Sequence, residues 1–345
     1  TRGWKKMTIL LLLPLTLLLA DYRSYGNEIF RLTASPGQES LGLLSGLVYQ
    51  GSENVQMNPL ALKSLTGQNT YISHSIWFAS SLSATSVAYS FDLNEKQSIG
   101  FMLSKISAGN IQDSRAALLD YGSDGIPSTL DEDGSENNGK LDPGERLDFD
   151  RISIHSLNNY ALTVSFPYTI KKFTFGVSSR IMVQDLLIST GYGLSFDLYF
   201  QKKWKYFHHL TKIANLPSAI TFFDNGKREA YAPYLQTAAM IPLSFSIFTI
   251  QPGFLLNYYP AEKHLVNQTD NSISSIFLIP AVNLFISKHF SAACSYSEME
   301  GLKLASEIVL PSFSLQYAWR GQQESALGMT HLFALKFSLA ELLED

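Results

Sequence analysis

Across residues 160–201, large apolar side chains alternate with small or polar ones in three runs. Tyr160, Leu162, Val164, Phe166 and Tyr168 share one face of the first, against Ala161, Thr163 and Ser165. Phe173, Phe175, Val177, Ile181 and Val183 oppose Thr174, Gly176, Ser178 and Arg180 in the second. In the third, Tyr192, Leu194, Phe196, Leu198 and Phe200 oppose Gly193, Ser195, Asp197 and Tyr199. A period of two predicts β-strands, because successive side chains point to opposite faces. A soluble sandwich buries its apolar face, whereas a membrane barrel turns it to lipid, and the alternation is the same in both.

Similar runs fill most of the remaining chain. Ile72, Ile76 and Phe78 share a face; so do Val87, Tyr89 and Phe91, and then Ile99, Phe101 and Leu103. Alternation returns in residues 235–248, 250–259, 273–286, 290–296, 308–319 and 329–339. Within residues 273–286, Ile276, Leu278, Val282, Leu284 and Ile286 face one way, with Phe277, Ile279 and Phe285 as apolar exceptions opposite. The runs approach about ten residues, the length of a tilted membrane strand rather than the five or six usual in soluble sheets. Counting hairpins predicts about fourteen antiparallel strands, within the range of single-chain outer-membrane barrels.

Composition favours the barrel. Aromatic residues make up 12% of the chain and charged residues only 16%, which suits a lipid-facing wall with aromatic girdles. Lys202, Lys203 and Lys205 lie among Trp204, Tyr206 and Phe207, a mixture suited to a membrane–water interface. Arg2, Lys5 and Lys6 precede an apolar run over residues 9–20. A basic segment followed by about a dozen apolar residues reads as a signal peptide; a spanning helix needs roughly 20. Ser24 and Gly26 place cleavage after Gly26, with Ala20 the alternative. Removing residues 1–26 takes away four bases and one acid, so the exported chain carries a net charge near −7. Such an acidic chain offers no footprint for nucleic acid. The single Cys294 excludes an intramolecular disulfide framework. No nucleophile-elbow, zinc-protease, phosphate-loop or paired-cysteine motif occurs, and the chain reads as a non-enzyme.

Residues 27–65 do not alternate. They mix Gly, Ser, Asn and Pro with short apolar groups, which predicts short helices and turns. Pro59 pushes Asn58 out of helix, and an Asn side chain holds a turn by bonding nearby backbone. The run Gly37-Gln38-Glu39-Ser40-Leu41-Gly42, followed by Asn58-Pro59-Leu60-Ala61-Leu62, resembles the N-terminal signature of PorV/PorQ-type proteins. These belong to the FadL-like (long-chain fatty acid transporter) superfamily of the outer membrane. Glu39 stands where that family commonly has Arg, and Leu60 where it has Ala. The resemblance implies a fourteen-stranded barrel whose N-terminal segment folds into the lumen as a plug, with Gly42, Asn58, Pro59 and Leu62 as its motif. The expected organisation is then a signal peptide over residues 1–26, a plug segment over 27–66 and a transmembrane barrel over 67–340. An acidic loop over residues 113–150 is inserted within that barrel.

That insert holds ten acids between Asp120 and Asp150, against Lys140 and Arg146. Asp120, Asp124 and Asp131 fall at positions one, five and twelve of a calcium loop, with Gly125 at six. Glu136, Asn138, Gly139, Asp142 and Glu145 match positions three, five, six, nine and twelve of a second loop. Gly134 occupies its first position, so Asp133 would serve from one residue away. Without flanking helices these are not EF-hands; the expectation is Ca²⁺ bound in an irregular loop, against a merely solvated acidic one.

Arg180 and Asp197, on the small-residue faces of neighbouring strands, are expected to face the lumen and pair across their hairpin. The expected partners are outer-membrane lipid and hydrophobic small molecules or secreted proteins. The resemblance implies transport or presentation of hydrophobic compounds. The alternatives are an accessory barrel of a secretion system and a calcium-dependent adhesin anchored by the barrel.

Overall fold

The computed structural model describes residues 35–65, 67–78, 80–94, 97–114, 116–129, 134–170, 173–187, 189–259, 275–297, 301–321 and 328–338. The signal-peptide expectation lies outside them. Fourteen strands close into one antiparallel barrel: β1 (Asn69–Trp77), β2 (Leu82–Asn94), β3 (Gln97–Asp113), β4 (Ser153–Ile170), β5 (Phe173–Asp185), β6 (Thr190–Lys203) and β7 (His208–Ala214) form the first half. The second half comprises β8 (Tyr234–Met240), β9 (Thr249–Tyr259), β10 (Ser275–Ser287), β11 (Phe290–Ser297), β12 (Gly301–Val309), β13 (Phe313–Arg320) and β14 (Thr330–Ser338). β1 closes the ring by pairing with β2 on one side and β14 on the other, from Asn69 opposite Ser338 to Ile76 opposite His331. Closure leaves no open sheet edge, the condition a sheet must meet in hydrocarbon.

The two faces are sorted as the alternation predicts. Leu162, Phe166, Ile181, Leu194, Phe196 and Phe200 are exposed, while Thr163, Ser165, Ser178, Ser195, Asp197 and Tyr199 are buried. The same inversion runs round the wall, with exposed Ile72, Val87, Leu278, Leu304, Leu315 and Phe333 on the outside. Inward positions are dominated by Ser, Thr and Ala, small enough to admit another layer of chain. An apolar exterior around a polar, small-residue interior is the construction of an outer-membrane barrel, and this chain is one.

Three local departures have simple causes. Phe78 lies beyond the end of β1 at φ 50° and turns back onto the buried apolar cluster instead of joining the outer row. Ile279, an apparent exception to alternation, packs on that same cluster from inside. The run 235–248 is not one strand, because β8 ends at Met240 and Leu243–Ser244 pairs with Ile250–Thr249 across a turn.

Connections at one end of the ring are short: residues 95–96, 171–172, 204–207, 241–248, 288–289 and 310–312. At the other end, residues 215–233, 260–274 and 321–329 make longer links. The first contains Asn215 at positive φ, a cis Leu216–Pro217 bond, and a strand pair whose first member, Ala219–Phe223, adds to β6. A second compact unit spans residues 107–157 and takes in the last residues of β3 and the first of β4. Inside that unit, Leu118–Leu119 pairs with Arg146–Leu147, and Asp148 N donates to Ala117 O at 2.7 Å.

The exterior assignment has a depth-dependent consequence. Phe196→Arg, near the middle of β6, should cost about 2–4 kcal/mol of folding free energy in vesicles, whereas Tyr192→Arg, near its end, should cost about 0–1 kcal/mol. Equal costs in urea refolding titrations would contradict a lipid-facing β6.

Candidate functional site

The N-terminal segment occupies the barrel interior. Helix α1 (Pro36–Leu41) starts with proline at its first position and Ser35 as its cap, Ser35 Oγ accepting from Gln38 N at 3.4 Å. A 3₁₀ turn (Gly42–Leu44), α2 (Ser45–Val48), α3 (Asn54–Met57) and a second 3₁₀ segment (Pro59–Ser64) follow. Gly, Asn and Pro keep each piece short, so the segment folds back on itself rather than forming a rod. Its leucines, Leu41, Leu43, Leu44 and Leu47, pack with Tyr49 against inward residues of the wall: Trp77, Leu210, Met240, Leu255 and Leu332. Ala238, Ala293, Ala305 and Ala318 supply the room.

Each residue of the plug motif has a place in this packing. Gly42 sits at φ 56° and ψ −134°, and a Cβ there would lie 2.4 Å from Leu255 Cδ2, so only glycine fits. Asn58 is fully buried and donates through Nδ2 to Gly46 O at 2.7 Å. The expected local turn is thus replaced by a tie between α2 and the start of the second 3₁₀ segment. Pro59 abuts the wall at Gly176, where a Cβ would meet Pro59 Cβ at 3.0 Å. Leu62 is fully buried with Val55, Tyr71, Ala88, Met102 and Ala334.

Polar wall residues satisfy the plug backbone, whose carbonyls would otherwise be costly in a dry interior. Tyr199 OH donates to Gln56 O at 2.7 Å, Lys336 Nζ to Gln50 O at 2.7 Å, and Ser165 Oγ to Val55 O at 2.5 Å. Ser295 Oγ donates to Ser40 O. In the reverse direction, Ser52 Oγ of the plug donates to Asn69 O at 2.7 Å.

Three ionic groups complete the interior. Plug residue Glu39 meets Arg320 Nη1 at 3.2 Å and Lys303 Nζ at 3.6 Å. Plug residue Glu53 lies 3.6 Å from Lys336 Nζ, which also contacts wall residue Glu307 at 2.8 Å. The third group lies wholly in the wall. Arg180 and Asp197 pair diagonally between β5 and β6 at 3.5 Å, as expected, but Lys212 of β7 is closer to Asp197, at 3.0 Å. Asn215 N donates to Asp197 Oδ1 at 3.0 Å, so Asp197 also pins the first long connection. Lys212, Glu53, Glu307 and Lys336 were not singled out from sequence, and Glu39 was noted only as a departure from the PorV/PorQ-type signature. Their signal was a charge on the inward row of an alternating strand, or, for the two plug acids, a charge within an apolar segment.

Burial pushes the Glu53 carboxyl above its ordinary range, with Lys336 opposing and Glu307 reinforcing that shift. Burial likewise raises the phenol of Tyr49. Glu53 in the folded state therefore holds its proton more tightly than in the unfolded chain. Its contribution to docking is present at pH below the ordinary carboxylate value and declines as pH rises through the raised value.

The acidic unit is held mainly by its own backbone. Glu145 accepts from Gly122 N at 2.9 Å through Oε1 and from Asp142 N at 2.8 Å through Oε2. Asp120 Oδ2 accepts from Gly139 N at 2.7 Å, the chief reason its carboxyl lies below the usual range. Asp124 Oδ1 accepts from Ile126 N at 2.8 Å, Glu136 accepts from Ser128 N, and Asn138 Nδ2 donates to Asp142. Among the described residues no three His, Cys, Asp or Glu side chains gather to hold a metal. In the described residues the calcium candidates thus accept from backbone amides or bond one another; Asp131 and Asp133 lie outside the described residues.

No family model and no curated protein matches the chain. Among solved structures it is similar to the P. putida toluene transporter TodX, at 8% identity and a TM-score of 0.46, over 84% of this chain and 95% of that one. It is also similar to a Pseudomonas aeruginosa FadL homologue, at 7% identity and a TM-score of 0.48, over 89% and 98%. A bacterial polysaccharide outer membrane secretin follows at 9% and 0.38, over 79% and 99%. Likenesses this remote carry no argument about cargo.

Two outcomes follow from the ionic groups. Asp197→Asn leaves Lys212 buried without its counter-charge and should lower stability by about 3–5 kcal/mol, whereas Arg180→Gln should cost less; urea refolding into vesicles measures both. For Glu53, the heat-modification midpoint should fall more steeply between pH 5 and pH 8 in the native chain than in Glu53→Gln. Equal slopes would mean that Glu53 is ionised throughout that window.

Proposed function

We propose that this barrel is a conduit for hydrophobic compounds, closed by its own N-terminal segment. The observation that carries the reading is the apolar stretch of the inner wall, where Leu210, Met240, Leu255, Leu332 and Trp77 meet the plug leucines. A diffusion porin lines its lumen with polar groups and keeps it wet. Here part of the lumen is lined for an apolar occupant, and the plug fills that place in the closed state. A hydrophobic molecule replacing the leucines keeps the same surface away from water, so exchange of plug for cargo costs little in burial. The resemblance to PorV/PorQ-type proteins supports the same plugged arrangement.

Cells lacking their own fatty-acid porin and expressing this chain should take up labelled long-chain fatty acid, and vesicles containing it should remain tight to glucose. Deleting residues 36–64 should admit glucose. Porin-like glucose flux through the intact chain, or uptake no greater than in cells without it, would refute the proposal.

A further inference from the structure

Exposed apolar and basic residues gather on two neighbouring short turns. The turn between β6 and β7 presents Lys203, Trp204, Lys205 and Tyr206, all exposed, with Trp204 and Tyr206 at 50% and 67%. The turn between β8 and β9 presents Ile241, Leu243, Phe245 and Ile247, the last at 77%. β7 pairs with β8, which brings the two turns to one sector of the ring. Both continue the lipid-facing rows of the wall: Phe200 and Lys202 lead into the first, while Leu243 pairs with Ile250 beside the second.

Between these turns the outer row becomes polar. His209 Nε2 lies 2.8 Å from Thr237 Oγ1, and Thr211 Oγ1 lies 3.0 Å from Thr237 Oγ1. Lys202 stands directly across from His209 in the β6–β7 register. Among the described residues, Lys202 and Lys203 have no carboxylate partner, and Lys205 rests over the Tyr206 ring at 4.8 Å. Hydroxyls and an imidazole on a lipid-facing row, flanked by three lysines and collared by indole and phenol rings, form a donor set for a phosphodiester. The apolar tip at Phe245 and Ile247 is suited to the boundary between headgroups and acyl chains.

We infer that this sector of the short-turn rim binds an anionic phospholipid, its phosphate between Lys202 and the His209–Thr211–Thr237 group and its chains along Phe200. Short turns face the periplasm in barrels of this type, so the lipid belongs to the inner leaflet. The inference rests on the outer-membrane placement and is independent of the cargo. A lysine near an anionic surface contributes about fivefold in affinity, enough for three of them to produce selective retention.

The test is native mass spectrometry of the barrel released from nanodiscs of equimolar phosphatidylglycerol and phosphatidylcholine. The full chain should retain phosphatidylglycerol preferentially. K202Q/K203Q/K205Q should bring retention to parity, and Thr237→Val should reduce it. The charge-matched control K105Q/K227Q/K288Q, at exposed lysines elsewhere on the chain, should keep the preference. Preference surviving in the first triple variant overturns the inference and leaves the basic turn to a protein partner. Equal loss in the control overturns it in favour of diffuse charge attraction. Heat-modifiable gel mobility reports folding of each variant, and a native chain that fails to insert would instead overturn the membrane placement.

Discussion

A ring of fourteen strands encloses more space than its inward side chains can fill, and the rest of this structure follows from that deficit. Lipid requires the sheet to close, because an open edge would leave backbone groups without partners. Closure with small inward residues then creates an interior that must hold either water or more chain. The N-terminal segment supplies the chain, with leucines against Leu210, Met240 and Leu255 and its carbonyls bonded by Tyr199, Ser165 and Lys336. The wall and plug are therefore complementary solutions to one packing problem. The alanines at 238, 293, 305 and 318 make sense only with the plug in place.

The wall was legible in the sequence because its rule is local. Alternation over residues 160–201 assigns inside and outside correctly for Ser178, Leu194, Phe196 and Asp197, since a strand fixes the side of each residue from that of its neighbour. Phe78, which misled, and Ile279, which alternation placed on the inner face as an apolar exception, are both recruited to the plug cluster; Phe78 escapes the wall rule because the backbone turns at φ 50° beyond β1. What the sequence did not show are contacts that depend on register between strands or on the fold of the plug. Arg180 and Asp197 could be paired because one hairpin joins their strands, but Lys212 reaches Asp197 only through the next register. Asn58 finds its acceptor at Gly46, across the plug rather than within its own turn. In the acidic unit, spacing alone suggested ligands, and it could not show that Asp120 and Glu145 accept from backbone amides of distant residues, Gly139 and Gly122. Positions along a chain define a calcium loop only if the intervening backbone turns its oxygens inward together.

The distribution of charge between plug and wall bears on how the proposed conduit would open. Both plug acids, Glu39 and Glu53, face wall cations, while Asp197 and its two cations belong to the wall alone. Withdrawing the plug would strip Glu39 from Arg320 and Lys303, and Glu53 from Lys336, leaving those three cations with Glu307 as the one carboxylate of the two groups. An interior of low dielectric tolerates such an excess poorly unless water or an anion enters as the plug leaves. In the conduit proposed above, opening would couple three events: loss of the leucine cluster, hydration of the exposed cations and arrival of whatever replaces them. An apolar cargo compensates only the first. Sliding or rotation of the plug that keeps Glu39 and Glu53 near their cations is then less costly than its expulsion, and favours an opening confined to part of the lumen.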